Sequence, residues 1–416
     1  MTVSSTSDLA YVWAWLPGQT EPVAVGLLRR GPDGRLSFAY GRRYLASPGA
    51  VALYGLPFTD GYTAPPDGWV VAPSIRDAAP DAWGRRVLMD RLMHRRGRNV
   101  DTDDLDEMTY LLESASNRVG ALDFQRSAEQ YVPRGDSHAD LAKVYDAATA
   151  LEAGRDLSPD LRAALDSGTG IGGARPKAYL RYEGRESIVK LAVSDDPFPV
   201  VKAEGAAVEL ARRAGIDVPA ARVIRVSGRY ALAADRFDRT GTGARRMVVT
   251  ALTFTGLREA EARYVTYGDI REALARGGTG DAIGPMLFER IAFNMLISNT
   301  DDHARNHAAF WDGEHLSLTP AYDLSPSSRS GETAHVALAY SAAGDREANV
   351  ARLVSVAHQY HLDRPRAEDI VGHLVTTIEE DWHDAADLAE LTAAERDFLW
   401  RRQFLNPGAL YGFKGP

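Results

Sequence analysis

Late in the chain, Asp301, Asn306 and Asp323 have the types and order that phosphoryl transfer needs, within AFNMLISNTDDHARNHAAFWDGEHLSLTPAYDLSP (292–326). A transferred phosphoryl group must be met by a carboxylate that orients and deprotonates the attacking hydroxyl, and by oxygen ligands that hold magnesium against the phosphates. Protein kinases space their catalytic loop Asp-x-x-x-x-Asn, the interval from Asp301 to Asn306, and a later aspartate supplies the second metal ligand, the place Asp323 would take. Aspartate and asparagine also cap helices and build turns, so the spacing by itself decides little. A rival chemistry shares the stretch: His303 and His307 would face one way on a helix and, with Asp301 and Asp302 nearby, could bind zinc in a metal-dependent hydrolase. An ATP site elsewhere in the chain would separate the two.

Such a site has a candidate in SGTGIGGARPKAYLRYEG (167–184), a glycine-rich loop running into a strand. Glycines let backbone N–H groups approach phosphate oxygens, and Arg175 and Lys177 add positive charge, although the loop matches neither the P-loop nor the dinucleotide fingerprint. The strand SIVKLAV (187–193) then carries Lys190 among apolar neighbours, and the helix KAEGAAVELARRAGIDVP (202–219) follows with Glu204 in its first turn. A strand lysine that contacts the α/β-phosphates and pairs with a helix glutamate is the kinase arrangement. Glu204 is the candidate partner of Lys190, with Glu209 in reserve. Surface solvation explains any one of these charges equally well. Their order is what persuades: glycine loop, strand lysine, helix glutamate, a further strand pair (221–237), Asp-x-x-x-x-Asn, and a late aspartate.

The elements that must position these groups follow from pattern. With 416 residues the chain is long enough for roughly two or three domains. A net charge of −9 and a pI near 5.6 argue against a broad nucleic-acid footprint, and the basic run RLMHRRGR (91–98) reads as a solvated helix face. No cysteine is present, which excludes disulfides, thiolate metal sites and a cysteine nucleophile. No signal-like segment or long apolar span appears, so a soluble, cytoplasmic protein without membrane contact is expected.

Residues 8–124 read as a small α+β unit with turns at Pro17-Gly18 and Asp33-Gly34, then helices over 81–93 and 101–116. No obvious chemistry lies there, and a structural or partner-docking role is expected. SHADLAKVYDAATALEAG (137–154) makes a connecting amphipathic helix. Helical periodicity dominates the last third, over 285–299, 346–362 and 366–388. Trp382, Trp400 and Phe404 read as packing residues, and NPGALYGFKGP (406–416) as a tail or surface loop.

The chain resembles the HipA-type toxin kinases, the serine/threonine protein kinases of bacterial type II toxin–antitoxin systems. The resemblance is carried by GGARPKA (172–178), IVKL (188–191), DRFDR (235–239), FNMLISNTDDHARNH (293–307) and PAYDLSP (320–326), and extends to RDAAPDAWGRRVL and RVGALDF in the first region. It implies an α+β, two-lobed protein-kinase-like fold: an N-terminal α+β accessory domain (1–128), a kinase N-lobe with glycine-rich loop and linking helix (129–239), and a mainly helical C-lobe with the catalytic and metal loops (240–416). Carried over residue by residue, it makes Asp301 the general base and Asn306 and Asp323 the magnesium ligands. Lys190 becomes a contact to ATP phosphates, and Gly172, Gly173, Ala174, Arg175 and Lys177 the loop over the nucleotide. Asp235, Arg236 and Phe237 match the segment that meets the adenine, with Asp235 where a glutamate is frequent. His303 becomes an active-site-loop residue rather than a zinc ligand, and Tyr322 a neighbour of the metal-binding aspartate.

ATP and Mg2+ are the implied cofactors, and the substrate is a protein serine or threonine. The implied partner is a HipB-like helix-turn-helix antitoxin, with DNA reached only through it. One departure stands out. The best-known members of the family carry a serine in the glycine-rich loop whose autophosphorylation expels the loop, and here the position before Ile171 is Gly170; Thr169 or Ser167 is the nearest substitute. A small-molecule phosphotransferase and a largely non-catalytic co-repressor are the alternatives.

Overall fold

The computed structural model describes residues 7–97, 99–135, 140–166, 168–182 and 185–415. They form two compact units, neither continuous in sequence: Met1–Val193 with Arg236–Val249 and Phe310–Gly313, and Ser194–Asp235 with Thr250–Ala309 and Glu314–Pro416. The expected first segment lies wholly in the first unit, while 129–239 divides between the two.

The first unit opens with strands β1 (Leu9–Ala14), β2 (Val23–Arg30), β3 (Leu36–Tyr40) and β4 (Leu122–Gln125), an antiparallel sheet in the order β3-β2-β1-β4. The two turns fall where glycine permits positive φ, at Gly18 (76°) and Gly34 (81°). One face buries Val12, Val25, Leu28, Phe38 and Phe124 against Ile75, Met108 and Leu111. Gly26 is obligatory, because a Cβ there would lie 2.3 Å from the Ala39 carbonyl oxygen. Helices Ala82–Met93 and Glu107–Glu113 follow, the second capped by the Asp106 carboxylate accepting from Thr109 N at 3.0 Å.

The basic run is not a helix face: the helix ends at Met93 with His94 left-handed. Arg91 pairs with Asp166 at 3.0 Å, and Arg96 pairs with Asp90 and Asp156. Helices Leu141–Glu152 and Pro159–Asp166 lead to the hairpin of β5 (Lys177–Tyr182) and β6 (Arg185–Leu191).

In the second unit, helix Val200–Arg213 packs on the hairpin of β7 (Ala221–Val226) and β8 (Arg229–Asp235) and on the C-terminal helix Arg364–Leu388, with helix Ala393–Leu399 following. Lys202, only 2 % exposed, binds Glu395 and lies 4.4 Å from the Tyr230 ring centre, and Arg213 pairs with Asp381. Helix Ile283–Leu296 runs through this core with Phe288, Ile291 and Phe293 fully buried.

Trp382 packs on Trp400 and Phe404 at 5.4 and 4.6 Å between ring centres, the packing role expected. The terminal stretch is not a surface loop. Asn406 caps a short helix, Pro407–Leu410, and Gly408 is pressed so tightly on the Glu332 carbonyl that no side chain fits. Among the described residues no helix is long and apolar enough to cross a membrane.

Candidate active site

The loop carrying Asp301 gets its direction from the way helix Ile283–Leu296 ends. Ser298 takes a left-handed φ of 56°, Ser298 N donates to Met295 O (3.2 Å), and Asn299 N donates to Asn294 O (2.8 Å). This is a Schellman closure with serine where glycine is usual. The strain is offset by the Ser298 hydroxyl, which donates to Gln403 O (2.7 Å) and accepts from Arg329 (2.9 Å). The chain thus leaves the helix sharply into Thr300 and Asp301.

Asp301 is exposed and Asn306 is buried, and the Asn306 amide donates to the Asp301 carbonyl at 3.3 Å, closing the Asp-x-x-x-x-Asn interval on itself. Residues 304–306 form a 3-10 turn, so His303 and His307 do not share an α-helical face. Asp323 lies on a second loop with φ 60°, a conformation that few side chains other than asparagine and aspartate adopt readily. The loops are joined by Asn299 Nδ2 to Asp323 O (3.1 Å), Tyr322 OH to Arg305 O (2.6 Å), Thr300 N to Ser327 Oγ (3.1 Å) and Ser327 N to Ser298 O (2.9 Å).

Under these loops lies Asp302, 2 % exposed. Its carboxylate accepts from Tyr267 OH (2.5 Å), Asn294 Nδ2 (2.8 Å) and His307 Nε2 (3.0 Å). Burial alone would raise this carboxyl; the His307 ring and the bonds from His307 and Tyr267 outweigh it and hold it below the usual carboxylate range. Burial, then the Asp302 charge, pushes the Tyr267 hydroxyl well up. His307 is therefore committed to Asp302, and among the described residues no three histidine, aspartate or glutamate side chains converge as metal ligands. That removes the geometry on which the zinc alternative rested.

Asn306 and Asp323 offer an amide oxygen and a carboxylate, hard donors that suit magnesium rather than zinc. Tyr267 is the residue that sequence reasoning passed over, and Asp302 was weighed there only as a zinc ligand. The doubled aspartate was the one signal, and nothing in it says which of the pair is buried.

In the first unit Lys177 and Lys190 stand directly opposite each other across β5 and β6. Lys177 is 7 % exposed and donates to Gly172 O, and Arg175 reaches Leu191 O at 3.4 Å. Thr169 is fully buried: its hydroxyl donates to Asp166 O (2.8 Å) and accepts from Ala115 N (2.9 Å). Its phosphorylation would require the loop to leave, and Ser167 lies outside the described residues. A Cβ at Gly170 would stand 2.9 Å from Ala115 O, so this seat is cut for glycine.

Arg236 turns inward. Its side chain is fully enclosed and bonded to Asp238 (2.9 and 2.7 Å), Asn117 (2.6 Å) and Arg118 O (2.5 Å), which engages all three guanidinium nitrogens. Arg236 thus ties the DRFDR segment to the RVGALDF stretch through its side chain. Phe237 packs 6.0 Å from Phe310, ring centre to ring centre.

The remaining candidates lie in the second unit: Asp235, paired with Arg222 at 3.4 Å, and Glu204, 4 % exposed on its helix. The reserve, Glu209, binds Arg212 and Arg213 of its own helix at 2.7 and 2.8 Å.

The HipA-like C-terminal domain family matches residues 169–382, just over half of the chain and all of the glycine-loop, catalytic-loop and metal-loop positions. The chain belongs to this family. HipA from the Shewanella oneidensis MR-1 toxin–antitoxin system, solved with HipB and its operator DNA, is similar over 95 % of this chain and 99 % of its own, with a TM-score of 0.66 at 17 % identity. The α+β fold is therefore that of HipA, the fold class expected. The Helicobacter pylori proinflammatory kinase CtkA is similar over 56 % of this chain and 96 % of its own at 12 % identity, but its TM-score of 0.38 is too low to speak for a shared fold. No curated protein matches the chain.

Proposed function

We propose that this HipA-like chain is an ATP- and magnesium-dependent serine/threonine protein kinase, the toxin of a HipA/HipB-like pair acting in the cytoplasm. The observation that supports it most is the bonded pair of loops in the second unit: an exposed Asp301, an Asn306 folded back onto it, and a left-handed Asp323 fixed by Asn299 and Tyr322. By role, residues 1–128 are accessory, 129–239 carry the nucleotide-binding groups, and 240–416 carry catalysis.

In this reading Asp301 orients the serine or threonine hydroxyl and takes its proton; general-base action of this kind contributes roughly 10²–10⁴-fold. Gly172, Gly173, Ala174, Arg175, Lys177 and Lys190 serve the phosphates, with Glu204 orienting Lys190 and His303 near the transferred group. Asn306 and Asp323 would hold magnesium, which when bound neutralises charge on the phosphates. The buried Asp302–His307–Tyr267 group keeps the loop in shape while Asp301 stays accessible to substrate. The Shewanella HipA was solved with HipB and DNA, and by analogy we assign this chain a helix-turn-helix antitoxin as partner, with DNA reached through it.

The test is transfer of γ-phosphate label from ATP into protein, with the wild type beside Asp301→Asn. Incorporation that falls by at least about 10²-fold in the variant, with an unchanged melting profile, supports the assignment. An unchanged rate would sink it, and label found in a small molecule rather than protein would move the chain to the metabolite phosphotransferases.

A further inference from the structure

The stretch RDAAPDAWGRRVL was given no chemistry above, yet it meets the glycine-rich loop at four places within the first unit. Asp81 stands at the N-cap of helix Ala82–Met93, but its side chain makes no cap bond to its own helix. Instead it accepts from Gly173 N at 3.0 Å. Trp83 N, one of the helix's otherwise unpaired first-turn donors, gives its bond to Gly173 O at 3.1 Å. One glycine thus trades both of its backbone groups with the start of one helix, at a φ of 100° that strains any other residue.

Arg86, one turn on, donates to Ala174 O at 2.8 Å. Gly84 lies so close to the Thr169 carbonyl that a Cβ would stand 2.3 Å from that oxygen. The bonds fall on the adjacent residues Gly173 and Ala174, and the Thr169 hydroxyl secures the start of the loop.

We propose that Asp81, supported by Trp83 and Arg86, is a positioning residue that holds the glycine-rich loop in the shape that receives ATP phosphates, so that the N-terminal region is part of the nucleotide site. This rests on the kinase reading above. Asp81 touches neither substrate nor the reacting atoms; it acts through Gly173. The Asp81 carboxylate is tied on its other side to Arg76 at 3.5 Å, which fits a fixed strut better than a mobile phosphate mimic. Lys177, in contrast, donates to Gly172 O from the strand side of the loop. The helix therefore fixes one side of the loop, and the lysine charge stands at another.

The experiment compares full-length wild type, Asp81→Ala, Asp81→Asn and Arg86→Met in two assays: hydrogen exchange at the amides of 172–175 without nucleotide, and ATP affinity with magnesium. In Asp81→Ala the Gly173 amide is expected to exchange about tenfold faster or more, the size that follows from losing a hydrogen bond to a charged group. The dissociation constant for ATP rises about as much. Asp81→Asn, which keeps an acceptor oxygen, restores most of both, and Arg86→Met loosens Ala174 with a smaller loss of affinity.

Unchanged exchange in Asp81→Ala overturns the clamp. Faster exchange with tighter ATP binding overturns positioning and makes Asp81 a blocking group. Faster exchange in a chain whose wild type binds no ATP leaves the strut standing as architecture and overturns its nucleotide role together with the kinase reading.

Discussion

Replacing Asp302 by alanine strands three buried donors at once: the Tyr267 hydroxyl, the Asn294 amide and the His307 Nε2–H. A buried donor left without a partner costs roughly 1–3 kcal/mol, about 3–9 kcal/mol for the set. The three share one acceptor and can partly re-pair, so their costs do not add fully, and a loss of about 4 kcal/mol is expected. That is a large part of the roughly 5–15 kcal/mol that holds a domain folded. Asp302→Asn keeps one acceptor oxygen but brings an amide donor among donors, and is expected to lose about 2 kcal/mol.

A chain of two units need not unfold in one step, so a global midpoint is the wrong measure. Native-state hydrogen exchange of the Ile283–Leu296 amides and of Asn299 reads the second unit directly. The pH dependence has a defined sign. The folded carboxyl titrates below its unfolded value, so its contribution is complete above the unfolded pKa and is lost as pH falls through the folded one. The wild type should therefore lose protection at these amides in acid, and Asp302→Asn should show a shallower fall. Protection in the alanine variant within about 1 kcal/mol of wild type would refute the idea that this carboxylate organises the loops.

Two further substitutions separate structural from chemical roles. Thr169→Val removes both hydroxyl bonds and leaves Ala115 N unpaired, so it should lower stability of the first unit by about 1–3 kcal/mol. Intact-mass analysis with ATP and magnesium should show no phosphate on Thr169 of the wild type while the loop is seated. Arg236→Met leaves Asp238 buried beside Arg239 with half of its pairing gone, and should cost about 3–5 kcal/mol, read by native-state hydrogen exchange of the first unit's strand amides. If ATP affinity fell sharply with no loss of stability, the arginine would be a ligand contact after all.

The parts of this protein that were legible in its sequence are those set by near neighbours. Helical spacing placed Ala82–Met93 and Arg364–Leu388 to within two residues and found the start of Val200–Arg213, whose end falls six residues before the expected 219, and the glycine turns placed the first hairpins, because backbone conformation answers to residues a few positions away. The motif order carried the family and with it the fold class.

Tertiary structure decided which polar groups are buried and what each one binds. Asp301 and Asp302 are alike and adjacent, yet one is exposed and the other closed under a tyrosine 35 positions upstream. Nothing near Arg236 in the sequence marks Asn117, 119 positions away, as its partner. Asp81 had the place of a helix cap, and its carboxylate went to Gly173, 92 positions on. A capping or turn preference costs only about 1 kcal/mol to override, whereas an unpaired buried polar group costs more, so the packed chain redistributes its polar partners in ways that local sequence does not record.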